Sequence, residues 1–278
     1  MKCVFFGGSS YVIPILKVLK SKLNLSLVIT TERESNDPVI SFCIENKILY
    51  LGVTSISDPR INSELLSLNP ELALVADFRL ILPEELLDIF PKGVLNIHPS
   101  LLPRYRGPIP GQTAILNGDK STGVSLIKLD KQIDHGQILV QKEEKILEND
   151  TSESLYLRLF ELGAKLFSEK IDDYLNGRTN LKKQNDTLAT FTKILSRDSG
   201  YFDFSNPPTK EVLDQMIKAF YPWPGSWTKI RIMDNELRIK FLPGEKLQIE
   251  GKKPVSYKDF INGYPKEGKE ILKKLNLV

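Results

Sequence analysis

Along the first half of the chain, short unbroken apolar runs alternate with segments that are apolar on one side only. KCVFF (2–6) is the first such run, followed by a GGSS turn. A helix is predicted over 10–21, with Pro14 tolerable only near its first turn. LSLVIT (25–30) reads as the next strand. Asp37 and Pro38 then stand as an N-cap and first helical residue, opening a helix through Ile44. LALVADF (72–78), GVLNIH (93–98) and GVSLIKL (123–129) are further strands, with a short helix at EELLDIF (84–90). Strands that are apolar throughout are buried on both faces, so this alternation predicts a doubly wound α/β sheet, mostly parallel.

The second half changes texture. A long helix is predicted across 152–175, opened by Thr151 or Ser152. Leu155, Leu157, Leu159, Phe160, Leu162, Leu166 and Phe167 give it a broad apolar face. DYLNGRTNLKKQND (173–186) then turns polar, and a connection is expected within 180–200. EVLDQMIKAF (211–220) reads as helix. After a Pro-Trp-Pro-Gly break, WTKIRI, ELRIKF and KLQIEG read as short strands of a small β domain. The expected division is a catalytic domain over 1–185, a linker over 186–200 and a C-terminal domain over 201–278.

Composition narrows the classes. At 41% hydrophobic and 26% charged, the chain is that of an ordinary globular protein. Cys3 and Cys43 have neither metal nor disulfide spacing and read as reduced core residues. Two histidines and two cysteines in all make a zinc site implausible, and no metal is expected. The N-terminus reads as strand, turn and helix rather than a signal peptide. No apolar run reaches the roughly 18 residues that span a bilayer. A cytoplasmic protein, off the membrane and monomeric, is expected. Charge is uneven: residues 196–278 carry 15 Lys and Arg against 11 Asp and Glu. That excess is either a solvated surface or a face for a polyanion such as RNA.

The candidate chemistry is polar. GGSS lacks the full G-x-G-x-x-G pattern and Glu32 falls past the end of the second strand, so a nicotinamide cofactor is not expected. Asn96 and His98 end one predicted strand, and Asp134 follows another. In open parallel sheets the functional crevice lies at the carboxyl ends of strands, where these three could meet. An Asn can donate to a developing oxyanion. A His can donate as well, or carry a proton, and an Asp beside it orients the ring and favours its charged form. This set suits attack on a carbonyl. No nucleophile elbow is present, which favours direct transfer over a covalent intermediate. In the following loop, stiffened by Pro103, Gly107, Pro108, Pro110 and Gly111, Arg104 and Arg106 either anchor a phosphate or pair with local carboxylates. His135 reads as loop structure.

NIHPSLLPRYRGPIPGQTAILNGDKSTGVSLIKLDKQIDHGQIL (96–139) resembles, without a gap, the core signature of the 10-formyltetrahydrofolate-dependent formyltransferases. That family includes members acting on glycinamide ribonucleotide, on amino sugars and on methionyl-tRNA. The resemblance implies a Rossmann-like formyltransferase domain. It places the family's catalytic Asn, His and Asp on Asn96, His98 and Asp134. It makes ADFRLILP (76–83) the segment whose backbone holds the folate's pterin ring, with cofactor contacts at Phe78, Arg79, Leu80, Ile81, Leu82 and Pro83. The loop before Asp134 adds Lys131, Gln132 and Ile133. It makes 10-formyltetrahydrofolate the formyl donor, with no metal.

Three further segments resemble the tRNA-directed members: the opening MKCVFFGGSSYVIP, the stretch 192–227 with its Ala-Phe-x-Pro-Trp-Pro-x-x-Trp run, and the tail QIEGKKPVSYKDFINGYP (248–265). They imply aminoacylated initiator tRNA as partner. Contacts are expected at Ser100, Leu101, Leu102, Pro103, Arg104 and Arg106, and at Lys252 and Lys253 in the tail. Two features depart from that pattern. TTERESNDPV (30–39) is short and net acidic where those members usually carry a longer basic loop, and the C-terminal domain is a reduced OB-like β domain. A sugar-nucleotide N-formyltransferase shares the catalytic set and fits the acidic loop, but does not account for the tail. A non-catalytic binding module would have no need of the intact Asn, His and Asp.

Overall fold

The computed structural model describes residues 1–31, 37–232 and 235–278. Residues 32–36, the centre of the segment read as an acidic loop, lie outside the described residues, Glu32 among them. By internal contacts the chain divides into two compact units. The first holds Met1–Pro110, Ser121–Lys145 and Tyr156–Thr192; the second holds Gly111–Lys120, Ile146–Leu155 and Lys193–Val278.

The first elements, in chain order, are β1 (Lys2–Gly7), α1 (Ile13–Lys22), β2 (Asn24–Thr30), α2 (Pro38–Glu45), β3 (Leu49–Gly52), α3 (Pro59–Leu68), β4 (Leu72–Ala76) and α4 (Glu84–Leu87). After them come β5 (Val94–His98), α5 (Pro110–Leu116), β6 (Ser121–Lys128), β7 (Gln137–Lys145) and α6 (Ser152–Leu175). The seven strands form one sheet in the order β3-β2-β1-β4-β5-β6-β7. The first five run parallel, and β6 and β7 join antiparallel. The sheet is therefore mostly parallel, as the apolar runs predict.

Local chemistry explains the elements. β1 buries Phe5 and Phe6 completely, each contributing about 1.5–3 kcal/mol of apolar burial. Asp37 caps α2, its carboxylate accepting from Val39 N and Ile40 N, and Pro38 sits at the first helical position. Asp58 and Pro59 repeat that device at α3. Under the sheet, Val4, Phe6, Leu27, Ile29, Ala73, Val75 and Val94 pack with Ile61, Leu65, Leu86 and Phe90. Cys3 and Cys43 are buried and free, and desolvation pushes both thiols up to about 12.

The second unit contains α7 (Lys210–Ala219), β8 (Ser226–Ile232), β9 (Asn235–Leu242), β10 (Lys246–Ile249), β11 (Val255–Ser256), α8 (Tyr257–Gly263) and α9 (Glu267–Lys274). Its four strands make an antiparallel sheet in the order β11-β10-β9-β8, the small β domain that the sequence texture indicates. Ile230, Ile232, Ile239, Phe241, Leu247 and Ile249 of the sheet pack with Leu213 and Ile217 of α7, Tyr257 and Phe260 of α8, and Ile271, Leu272 and Leu275 around α9. α8 is capped by Ser256, whose hydroxyl accepts from Asp259 N.

Candidate active site

Asn96 and His98 lie two residues apart on β5 and therefore project from the same face of the strand. They end the fifth parallel strand, at the carboxyl edge where open α/β sheets bind ligands. β6 pairs with β5 on the other side and leads, through the loop before β7, to Asp134. That loop depends on Gly136, where a Cβ would stand 1.9 Å from the Lys128 carbonyl oxygen. Asp134 itself has a left-handed backbone, φ 49, a conformation that Asp tolerates better than most residues.

The loop turns the Asp134 carboxylate onto the β5 pair. Asn96 Nδ2 donates to Asp134 Oδ1 at 3.2 Å. His98 Nδ1 stands 3.5 Å from the same oxygen. Gly107 N donates to Asp134 Oδ2 at 2.7 Å. Gly107 has φ +109, and a Cβ there would meet Thr192 Oγ1 at 2.7 Å, so glycine is required for that donor to be aimed. The other ring nitrogen of His98, Nε2, lies 2.9 Å from the Tyr105 carbonyl oxygen. A carbonyl only accepts, so Nε2 carries the proton of the neutral ring. Nδ1 is then the nitrogen that faces Asp134, and it donates only when the ring is doubly protonated. Asn96 and His98 are both buried.

The segment 76–83 divides by side chain. Phe78, Leu80 and Leu82 pack against the apolar core, while Arg79, Ile81 and Pro83 are exposed. Alternate side chains are thus anchored, and the backbone between them is held at the edge of the β4 end. Beside it lies a cavity of about 400 Å³, lined by Leu87, Phe90, Val94 and Leu129 with Lys128 and Asp130 among its polar residues. Lys131 also lines it, whereas Gln132 and Ile133 are exposed on the same loop. Leu87, Phe90, Val94, Leu129 and Asp130 are cavity residues that the sequence alone did not mark. An apolar run signals burial alike whether it lines a cavity or fills a core.

The two arginines differ in their surroundings. Arg106 is only 4% exposed. Its Nε and Nη2 donate to Gln184 Oε1 at 3.1 and 2.8 Å, and Nη2 pairs with Asp186 at 2.7 Å. It takes the local carboxylate, and that hydrogen bond holds the Asp186 carboxyl below its usual range. Arg104 is exposed, with its guanidinium over the Tyr105 ring. Ser100 and Leu102 are buried. The Ser100 hydroxyl donates to Arg104 O at 2.7 Å, and Leu102 N donates to Ser125 Oγ, so both support the loop from within. Leu101 and Pro103 are half-buried. Lys252 and Lys253 are exposed in the second unit, where Lys252 Nζ donates to Tyr264 Oη at 2.8 Å.

His135 occupies a different setting from His98. Its Nδ1 lies 2.6 Å from Asp130 Oδ2 and its Nε2 lies 3.3 Å from Asp186 Oδ2. The hydrogen bond to Asp130 raises its pKa above the ordinary value, with both carboxylates adding attraction. Among the described residues, no group of three or more His, Cys, Asp or Glu could hold a metal ion. No described helix is long and apolar enough to cross a membrane.

Known proteins agree with this architecture. Residues 23–171 match the formyl transferase family. The chain therefore belongs to that family. A relative from Caldanaerobacter subterraneus, named methionyl-tRNA formyltransferase, is 33% identical over 82% of this chain and 76% of its own. A second of the same name, from Geotalea daltonii, is 30% identical over 95% of this chain and 96% of its own. Among solved structures, an N-formyltransferase from Helicobacter canadensis in complex with folinic acid and dTDP-3-aminofucose superposes with a TM-score of 0.65. It is 20% identical and covers 90% of this chain and 95% of its own, a likeness of fold.

Proposed function

We propose that the chain moves the formyl group of 10-formyltetrahydrofolate to the α-amino group of methionyl-initiator tRNA, giving N-formylmethionyl-tRNA for translation initiation. The observation that carries this reading is the convergence of Asn96, His98 and Asp134 at the end of β5. The family membership and the tRNA-directed names of its relatives along nearly the whole chain choose the acceptor.

Each residue has a role that its contacts allow. Asn96 spends one N–H on Asp134 and has a second to offer the formyl oxygen as negative charge builds there. His98, held through Nε2 by the Tyr105 carbonyl, meets the same site through Nδ1 and donates from it when protonated. Asp134 accepts from Asn96 and Gly107, pairs with Nδ1 of the His98 ring once that ring is protonated, and helps carry the proton off the attacking amine. The residues of the neighbouring cavity fit the donor. Leu87 and Leu129 beside the charged Lys128, Asp130 and Lys131, around about 400 Å³, would take a flat heteroaromatic ring with amide-like edges. The exposed cations Arg104, Lys252 and Lys253 are the phosphate contacts in this reading, in a protein placed in the cytoplasm and acting as a monomer.

The test is an acceptor assay with purified protein and 10-formyltetrahydrofolate. Formyl-methionine on initiator tRNA at micromolar acceptor is the expected product. Formylation of an amino-sugar nucleotide, with none on charged tRNA, would replace the acceptor and keep the chemistry. Folate binding without turnover on any amine would remove the enzyme.

A further inference from the structure

Asp134 is held in an unfavourable backbone conformation, and what holds it lies 50 residues downstream. Gln184 Nε2 donates to the Asp134 carbonyl at 2.8 Å and to the Gly136 carbonyl at 2.8 Å. Gln184 Oε1 accepts both Nε and Nη2 of Arg106. The amide has two N–H donors and one oxygen with two lone pairs, so all of its capacity is spent on these two loops. A left-handed non-glycine residue persists only where its surroundings fix it. Here the two Gln184 donors clamp the carbonyls on either side of the turn that aims the carboxylate.

The segment around Gln184 extends the clamp. Lys182 exchanges both backbone hydrogen bonds with Ile138, at the start of β7. Arg106 donates its N–H to Thr190 O and accepts from Thr192 N. Tyr105 N donates to Thr190 Oγ1 at 2.8 Å, and the Tyr105 carbonyl is the group that receives His98 Nε2. The strap 182–192 therefore fixes both neighbours of the His98 ring, Tyr105 on one side and Asp134 on the other.

We infer that Gln184 is a positioning residue for formyl transfer, setting the Asp134 carboxylate against Asn96 and His98 without touching either substrate. This inference rests on the proposed formyl transfer for its kinetic consequence only. Its structural consequence is independent of the substrate.

Gln184→Glu separates the two halves of the contact. The carboxylate still accepts from Arg106, so the Arg106 side survives. The N–H donors become an oxygen facing the Asp134 and Gly136 carbonyls, so the loop is released. The expected result is a kcat lower by roughly 10–10²-fold, since displacement of a reacting group by about 1 Å costs on that order. KM for donor and acceptor and the Tm should stay near wild type. In the same variant the Gly107 amide, which donates to Asp134 Oδ2, should exchange with solvent faster, while the β5 amides keep their protection. Gln184→Met, close in shape but without hydrogen bonds, should show both defects and serves if the Glu variant does not fold. Wild-type kcat with unchanged Gly107 exchange would overturn the inference. So would a kcat loss accompanied by equal losses in KM and Tm, the mark of a general structural role. If the wild-type protein formylated no acceptor, the functional reading would fall, and Gly107 exchange would still decide whether Gln184 sets Asp134.

Discussion

His98 and His135 each face a carboxylate within the same unit, and their surroundings make them different instruments. The His98 ring is buried, held by one carbonyl through Nε2, and shares its carboxylate with Asn96 and a backbone N–H. The His135 ring is about a quarter exposed and stands between two carboxylates on the surface, Asp130 and Asp186. Both are His–Asp pairs. Burial strengthens fixed dipoles and excludes water in the first case, and solvent screens the charges in the second. The lesson is that the pair alone does not make a site; the neighbours that spend or spare its donors do.

The sharpest way to break this comparison is to remove each ring. His98→Ala should cut kcat for formyl transfer by roughly 10²–10⁴-fold, the range for losing a positioned acid–base group. His135→Ala should leave kcat within a few-fold of wild type. Comparable losses in both would mean that the buried site is not privileged.

A smaller effect separates the cations. Arg106 is committed to Gln184 and Asp186, whereas Lys252 and Lys253 are exposed. Lys252→Ala with Lys253→Ala should raise KM for tRNA with little change in kcat. The salt dependence of binding should become shallower, by about one unit of log–log slope for each phosphate no longer neutralised. An unchanged slope would remove these lysines from the interface.

The smallest effect sharpens the surface pair through pH. The folded pKa of His135 is raised, so its bridge to Asp130 and Asp186 stabilises fully below the unfolded value, about 6.5. That stability is lost as pH rises through the higher folded value. The Tm difference between wild type and His135→Gln should be largest near pH 5.5 and should fade toward pH 9. A difference that is flat with pH would mean that the bridge carries no charge.

Much of the catalytic unit is legible because burial on both faces leaves a plain mark. β1, β2, β4, β5 and β6 appear as unbroken apolar runs, and Asp37-Pro38 announces α2. β7 does not, because its second half, Gln141–Lys145, is polar and lies at the sheet edge. β3 is short and only partly buried. α3 carries the same Asp-Pro signal as α2 at Asp58-Pro59, and was readable by that signal. In the second unit, α8 and α9 bury Phe260, Ile271 and Leu272 through an interrupted pattern rich in Lys and Glu. Asn96, His98 and Asp134 stand out from strand ends and from resemblance. The part of Gln184 was invisible for a simple reason: a lone Gln in a polar stretch becomes informative only when four hydrogen bonds from three residues in two loops close on it.

The central claim is that Asn96, set by Asp134 beside His98, stabilises the charge that develops on the formyl oxygen. Single-turnover formylation of methionyl-initiator tRNA by wild type and Asn96→Ala, at saturating 10-formyltetrahydrofolate, tests it most directly. The expected result is a rate lower by roughly 10²–10³-fold, the cost of one oxyanion donor at ~2.7–4 kcal/mol, with the affinity for the folate little changed. A near-wild-type rate in Asn96→Ala would contradict the account.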